Sequence, residues 1–196
     1  MVPAADSGED AAKVLIAIVM RAVNRRAAES GSDQGSAALS YAQLIELTDL
    51  SRGMVAKGVT LLRKTDIVAV ETTPGRTTRY RLAGYGVGDK FGRVPKSPLY
   101  RGPGAQALKA LYDLSLRNEA DVNAMKLYLY LCGTQNNESR IAIVSYQTIW
   151  EKTGIPKAKI RRALSVLYEH GLVSGSAIDR QETGEPPAMG YKVLGL

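Results

Sequence analysis

Two short segments of the chain carry closely spaced lysine and arginine side chains. The denser segment places four cations within six residues, at Lys157, Lys159, Arg161 and Arg162. Long cationic side chains bind phosphates, and they can also donate hydrogen bonds to the O6 and N7 atoms of a guanine. This spacing indicates a polyanionic partner, and the formal net charge of +7 points the same way.

Side chains that support catalysis or metal binding are scarce by comparison. The chain of 196 residues has one histidine, His170, and one cysteine, Cys132. A nucleophilic dyad or a zinc cluster needs more of these residues, and no phosphate-binding loop of the form G-x-x-x-x-G-K-[ST] occurs. We therefore expect no enzyme activity, no cofactor, no metal ion and no small-molecule substrate. We interpret His170 as a helix cap and Trp150 as a core residue.

Composition narrows the class of protein further. Hydrophobic residues make up 45% and charged residues 23%, which is typical of a globular protein. No apolar run approaches the roughly 20 residues of a membrane span. The acidic start MVPAADSGED lacks the basic residues of an export signal. Together with the single cysteine, these features predict a cytoplasmic, nucleoid-associated protein that does not bind membranes.

An internal repeat organises the chain. Residues 40–68 align with residues 145–173 at a constant offset of 105 without gaps, and six of the 29 positions are identical. The apolar positions also agree in kind, so the two segments predict two copies of one supersecondary unit. The identical pairs are Ser40 and Ser145, Tyr41 and Tyr146, Glu46 and Glu151, Thr48 and Thr153, Leu62 and Leu167, and Val68 and Val173.

Each copy has the same order of predicted elements. A serine precedes a short helix of about two turns as its N-cap, and a tight turn leads into a longer helix. The longer helices are predicted at 51–65, with Ser51 as the N-cap, and at 156–170. A strand, a polar loop and a second strand follow, within 67–83 in the first copy and within 172–194 in the second.

Outside the repeats, the chain predicts further helices and a linker. Apolar residues recur at helical spacing over 9–29, and two more helices are predicted at 105–117 and 121–132. Residues 84–104 are rich in glycine and proline and carry a net charge of +3, which indicates a basic interdomain linker. Residues 1–8 are expected to be disordered.

The predicted domains follow from this linker. The N-terminal domain comprises residues 1–83 and the C-terminal domain comprises residues 105–196. Each domain would contain one copy of the repeat together with the helical segment that precedes it.

The two repeated segments resemble winged helix-turn-helix domains of bacterial and phage DNA-binding proteins. The resemblance lies in SYAQLIELTDLSRGMVAKGVTLLRKTDIV and, most closely, in SYQTIWEKTGIPKAKIRRALSVLYEHGLV. It implies a mainly α fold with small β-hairpins, of the α+β class, arranged as two tandem winged helix-turn-helix domains. It also implies that the helices at 51–65 and 156–170 lie in the major groove of double-stranded DNA.

A helical projection identifies the side chains that would face the DNA. In the first copy Val55, Val59 and Leu62 form the apolar stripe, and the opposite side is polar. The first wing carries arginines that suit a phosphate or minor-groove contact. An isolated cation on such a face is more often solvated, so the clustering is what favours DNA. The predicted DNA-binding residues are Arg52, Lys57, Thr60, Lys64, Arg76, Arg79, Lys157, Lys159, Arg161 and Arg162.

The predicted function is sequence-specific binding of double-stranded DNA, as a transcriptional regulator of a bacterial or mobile-element operon. Two alternatives stay open. One is a plasmid or phage protein for replication-origin binding or plasmid maintenance, and the other is a winged-helix scaffold that binds proteins. A monomer with both helices in successive major grooves would cover about 20 base pairs, whereas a homodimer would read a palindrome.

Overall fold

A computed structural model divides the chain into two units that each combine helices with a small antiparallel sheet, which is the α+β class. The structure describes residues 8–22, 35–72, 77–85, 94–95, 109–136, 138–178 and 188–194. The first unit takes in the described residues up to 85 together with 109–113. The second takes in residues 94–95 and those from 114 onward. The prediction of disorder over 1–8 is wrong at Gly8, which begins the first helix, and its other residues lie outside the described ones. The predictions for Arg76 and for most of the 84–104 linker also concern positions outside the described residues.

The first unit combines helices with a three-stranded antiparallel sheet. The sheet has the strand order β1-β3-β2, and α1 packs along α3. The elements are α1 (Gly8–Arg21), β1 (Ser36–Ala38), α2 (Tyr41–Thr48), α3 (Arg52–Lys64), β2 (Val68–Glu71), β3 (Arg79–Leu82) and the short α4 (Lys109–Tyr112).

The second unit repeats this arrangement. Its sheet has the strand order β4-β6-β5, and α5 packs along α7 as α1 packs along α3. The elements are α5 (Glu119–Thr134), β4 (Ile141–Ile143), α6 (Tyr146–Thr153), α7 (Lys157–Glu169), β5 (Val173–Ile178) and β6 (Ala188–Val193). None of the helices that the structure describes is both long and apolar enough to cross a bilayer.

The predicted helix caps are confirmed. The Ser40 hydroxyl accepts a hydrogen bond from the backbone N–H of Gln43 at 3.2 Å, and the Gln43 side chain accepts one from the Ser40 N–H at 2.9 Å. This reciprocal capping box satisfies two N–H groups that α2 itself leaves without partners. Ser145 and Ser51 accept equivalent bonds at the starts of α6 and α3. His170 is the C-cap residue of α7, as expected.

Left-handed backbone positions recur at the repeat offset of 105. They precede the first strand, follow the short helix and follow the longer helix of each unit. The pairs are Gly35 and Arg140, Asp49 and Gly154, and Asp66 and Gly171, with φ between 53° and 71°. The backbone repeat therefore begins about five residues before the sequence repeat, where the side chains have diverged.

The predicted β-hairpins are present, since β2 pairs with β3 and β5 pairs with β6, but each sheet also has a third strand that was not predicted. β1 and β4 pair with β3 and β6, respectively, on the side opposite β2 and β5. Three residues are too few for the alternating pattern that identifies a strand. Ala37 and Ala142 occupy these strands and are identical at the repeat offset, so extension of the repeat toward the N-terminus was the available signal.

Two predicted helices are shorter than expected. α1 ends at Arg21, before a bend at Ala22, whereas the prediction ran to residue 29. In the predicted 105–117 helix, the described residues are helical only over Lys109–Tyr112. The chain then turns, because the Asp121 carboxylate accepts a hydrogen bond from the Ser115 N–H at 2.9 Å.

The segment 109–113 groups with the first unit rather than with the second. α4 packs against α2, and the Tyr112 hydroxyl donates a hydrogen bond to the Glu46 carbonyl oxygen. α4 thus packs with residues that lie before the predicted linker, although it follows the linker in sequence.

Candidate nucleic-acid interface

The outer side of α3 carries cations and small side chains. Lys57, Thr60 and Lys64 are exposed along one stripe, and with Ala56 and Leu61 they line a shallow open groove. The sequence of α3 contains no acidic residue. The positions predicted to face away from the core therefore do so, and they form a polar surface of positive charge.

The first two turns of α7 form the denser cationic surface. Lys157, Lys159, Arg161 and Arg162 are all exposed, and the small Ala158 lies among them. Residues three and four apart on a helix are neighbours, so Arg161 lies beside Lys157 on the helix surface. These side chains create a local positive potential that would attract phosphates.

Acidic neighbours reduce the availability of two of these cations. The Lys159 Nζ atom lies 2.5 Å from Glu119 Oε1, at the start of α5. The Arg162 Nη1 atom lies 3.9 Å from Glu169 Oε1, which is a looser ion pair. Among the described residues Arg161 has no carboxylate within ion-pair distance, so it is the freest of the arginines on α7.

An aromatic ring lies beneath the first cation of each longer helix. The Arg52 guanidinium lies 5.8 Å from the ring centre of Tyr41, and the Lys157 ammonium lies 5.5 Å from that of Trp150. The prediction of Trp150 as a core residue is wrong, because its side chain is 45% exposed. Its position faces the start of α7, and the corresponding Ile45 of the first unit is also only half-buried.

The described residues of the segment predicted as the first wing offer less charge than expected. Arg79 is half-buried on β3, directly opposite Glu71 in the strand register, and it interacts within the protein. The neighbouring Arg81 places its Nη2 atom 3.4 Å from Glu71 Oε1. The predicted contact at Arg79 thus lies at a strand position and not at the loop tip.

Each sheet holds a buried tyrosine that lies near a tyrosine of the preceding short helix. Burial raises the pKa of Tyr80 to about 12, with a further contribution from Tyr41. Burial also raises the pKa of Tyr191, followed by the proximity of Tyr146 and Tyr168 and a hydrogen bond with Tyr146. The hydroxyls of Tyr80 and Tyr191 thus stay protonated at neutral pH, and in the second unit the bond joins α6 to the sheet.

Within the described ranges, no three His, Cys, Asp or Glu side chains are grouped as metal ligands. Burial raises the pKa of the Cys132 thiol to about 12, although a hydrogen bond with Tyr128 partly opposes the effect. The thiolate form that reacts or binds metal is therefore disfavoured at neutral pH.

Sequence reasoning missed two residues beside these cations. The Trp150 side chain is 45% exposed, and Glu119 reaches Lys159 across 40 residues of sequence. The alignment of Trp150 with Ile45 was a signal that the two units differ on this side. The contact of Glu119 had no local signal, because it depends on how α5 packs on α7.

The chain matches no family model, and no curated protein matches it significantly. The geometry of α3 and α7 is therefore the basis for a functional proposal.

Proposed function

We propose that the protein binds double-stranded DNA sequence-specifically, with each unit acting as a winged helix-turn-helix domain. The observation that carries the proposal is the exposure of cations on α3 and α7 of two similar units, where Arg52 and Lys57 are equivalent to Lys157 and Arg162. The major groove is about 12 Å wide and admits an α-helix. The outward side chains near the start of such a helix then reach base edges and phosphates.

The order of elements supports the proposal. Each unit has a helix, a strand, a short helix, a longer helix and two further strands, with the first and last strands paired in the sheet. This order agrees with the resemblance of the two repeated segments to winged helix-turn-helix domains. Small residues at Gly53 and Ala158, both exposed, would let the starts of α3 and α7 approach the base edges closely.

We infer that this DNA binding controls transcription of a bacterial or mobile-element operon. The resemblance of the two repeated segments to domains of bacterial and phage regulators supports this role. The DNA segment that the protein selects distinguishes this role from replication, because a regulator selects a site beside a promoter and an initiator selects iterated repeats near an AT-rich stretch.

The test is a fluorescence-anisotropy titration with duplexes tiled across the gene neighbourhood and a scrambled duplex, at two salt concentrations. We expect one segment to bind at least about 10³-fold more tightly than the scrambled duplex. Weak, uniform and salt-sensitive binding would contradict sequence-specific reading. Absence of binding at low salt would contradict DNA binding altogether and favour a protein-binding scaffold.

Two matched variants locate the interface. Arg161→Ala should weaken binding, by about 1–3 kcal/mol at one base position if it reads a base, or uniformly on all sequences if it binds a phosphate. Lys126→Ala removes an exposed cation of α5 and serves as the control for net charge. Equal losses in the two variants would mean that α7 is not the binding surface.

A further inference from the structure

The second unit exposes aromatic side chains on α6, whereas the equivalent positions on α2 of the first unit are half-buried. Tyr146 and Trp150 lie one turn apart on α6, so their side chains are neighbours on the helix surface. Their exposed fractions are 37% and 45%, and the Lys157 ammonium lies 5.5 Å from the indole centre. We call Tyr146, Trp150 and Lys157 the aromatic surface. The corresponding residues of the first unit are Tyr41, Ile45 and Arg52.

The charge around this surface indicates what it binds. Lys157 borders the indole ring, and Arg161 follows one turn later on α7. An apolar protein segment would gain nothing from these cations, whereas a nucleic-acid strand supplies both planar bases and phosphates. Exposed aromatic rings beside cations are the usual platform for unpaired nucleotides, because every base has a face that can stack.

The aromatic surface cannot stack on a base inside a duplex. Bases in a duplex are stacked on one another, and only their edges are open in the grooves. An indole face can therefore be covered only by a base that has left the helix, at a melted, distorted or single-stranded position. The Lys157 ammonium lies over the ring at 5.5 Å from its centre, and it would move from the ring to the phosphate of that nucleotide as the base stacks.

We propose that the aromatic surface of the second unit stacks an unpaired nucleotide, which adjoins the duplex held by α7. The proposal rests on the proposed function, because it assumes that the cations of α7 contact nucleic acid. The second unit would then recognise the junction between paired and unpaired DNA, whereas the first unit would contact only the duplex.

The test compares three fluorescently labelled probes at low salt: a blunt duplex, the same duplex with a single-stranded dT tail, and a dT oligonucleotide. Trp150 is the only tryptophan of the chain, so its own emission reports stacking directly. We expect the tailed duplex and the dT oligonucleotide to quench this emission. The tailed duplex should also bind more tightly than the blunt one.

The decisive variant is Trp150→Ile, which introduces the residue that the first unit carries at this position. Base–aromatic stacking of ~1–3 kcal/mol corresponds to about 5- to 150-fold in affinity. We expect the ratio of tailed-duplex affinity to blunt-duplex affinity to fall by a factor in this range. Trp150→Phe keeps a ring and should retain most of the preference for the tail.

Other outcomes would overturn the proposal. If Trp150→Ile binds the tailed and blunt duplexes with unchanged relative affinity, the ring does not stack on the tail. If the variant instead loses self-association in sedimentation, the surface joins two copies of the chain. If the wild-type protein binds none of the probes, the proposed DNA-binding function itself fails, and this result is distinct from a loss of tail preference alone.

Discussion

Glu119 should limit the affinity of the second unit for DNA, since its carboxylate holds one of the α7 cations. The Lys159 Nζ atom and Glu119 Oε1 are 2.5 Å apart, and both side chains remain about half exposed, at 48% and 64%. Such a surface pair stabilises a protein by only about 0–1 kcal/mol. Glu119→Gln should therefore fold normally while it frees the lysine ammonium for a phosphate.

The magnitude follows from counterion release. Each phosphate contact contributes about 0.9 to the slope of log Kobs against log salt concentration. One additional contact from Lys159 should steepen the slope of Glu119→Gln by up to about 0.9. Over a fourfold range of salt, from about 50 to about 200 mM, the advantage of the variant over the wild type should then shrink by about 3.5-fold.

The assay is a salt series of anisotropy titrations on one duplex, with urea denaturation to verify the fold. Lys159→Gln and the double variant complete a cycle, and in the Lys159→Gln background the change at Glu119 should have little effect. Glu138→Gln is the control, because it changes net charge equally at an exposed residue. A slope unchanged by Glu119→Gln, or an equal change in the Glu138→Gln control, would refute the reasoning.

Three further perturbations test the packing by urea denaturation and thiol labelling. Gly58→Ala should lower the free energy of unfolding by about 1–3 kcal/mol, because the new Cβ atom would lie 3.0 Å from the α1 backbone. Gly53→Ala should raise it by up to about 1 kcal/mol, because position 53 faces open space and alanine favours a helix more than glycine does. Similar effects of the two variants would contradict this reasoning. Tyr80→Phe should raise the free energy of unfolding, because the described residues offer the buried Tyr80 hydroxyl no hydrogen-bond partner. Tyr191→Phe should lower it by about 1 kcal/mol, because it removes the hydrogen bond with Tyr146. The reverse order of the two effects would refute these hydrogen-bond assignments. Cys132 should resist thiol reagents at about pH 8 until the protein unfolds, and labelling of the native protein would contradict this. Because burial raises the pKa of Cys132 from 9.0 to about 12, the stability of the fold should fall as the pH rises across that interval.

Much of the fold was predictable because its signals are local. Ser40, Ser51 and Ser145 cap helices whose apolar spacing is visible in the sequence, and α3 and α7 differ from their predicted bounds by one residue at each end. The repeat also predicted that the second unit would copy the first. Local sequence determined these features because caps, periodicity and turn residues act within a few positions.

The features that sequence could not predict depend on contacts between distant segments. β1 and β4 are strands because they pair with β3 and β6, which lie about 40 residues or more along the chain. Trp150 lies next to Lys157 of α7 and stays 45% exposed, which the periodicity of α6 does not determine. The candidate site followed the same division, since the exposure of its cations was predictable whereas the pairing of Lys159 with Glu119 was not.

The two units keep one backbone plan and differ on the surfaces that would meet DNA. Left-handed positions recur in pairs, and the buried Tyr80 and Tyr191 lie at corresponding places in their sheets, opposite Ala37 and Ala142.

The outer residues are not matched in this way. The first unit has Arg63 where the second has Tyr168, whose hydroxyl lies so close to Gly175 that a Cβ atom there would be 2.5 Å away. Ile45 and Trp150 differ likewise. Two DNA-binding units with the same backbone fold and different outward side chains would select different half-sites. If both bind DNA, the preferred site should therefore be asymmetric, and a perfect inverted repeat of either half should bind the monomer less tightly than the natural order.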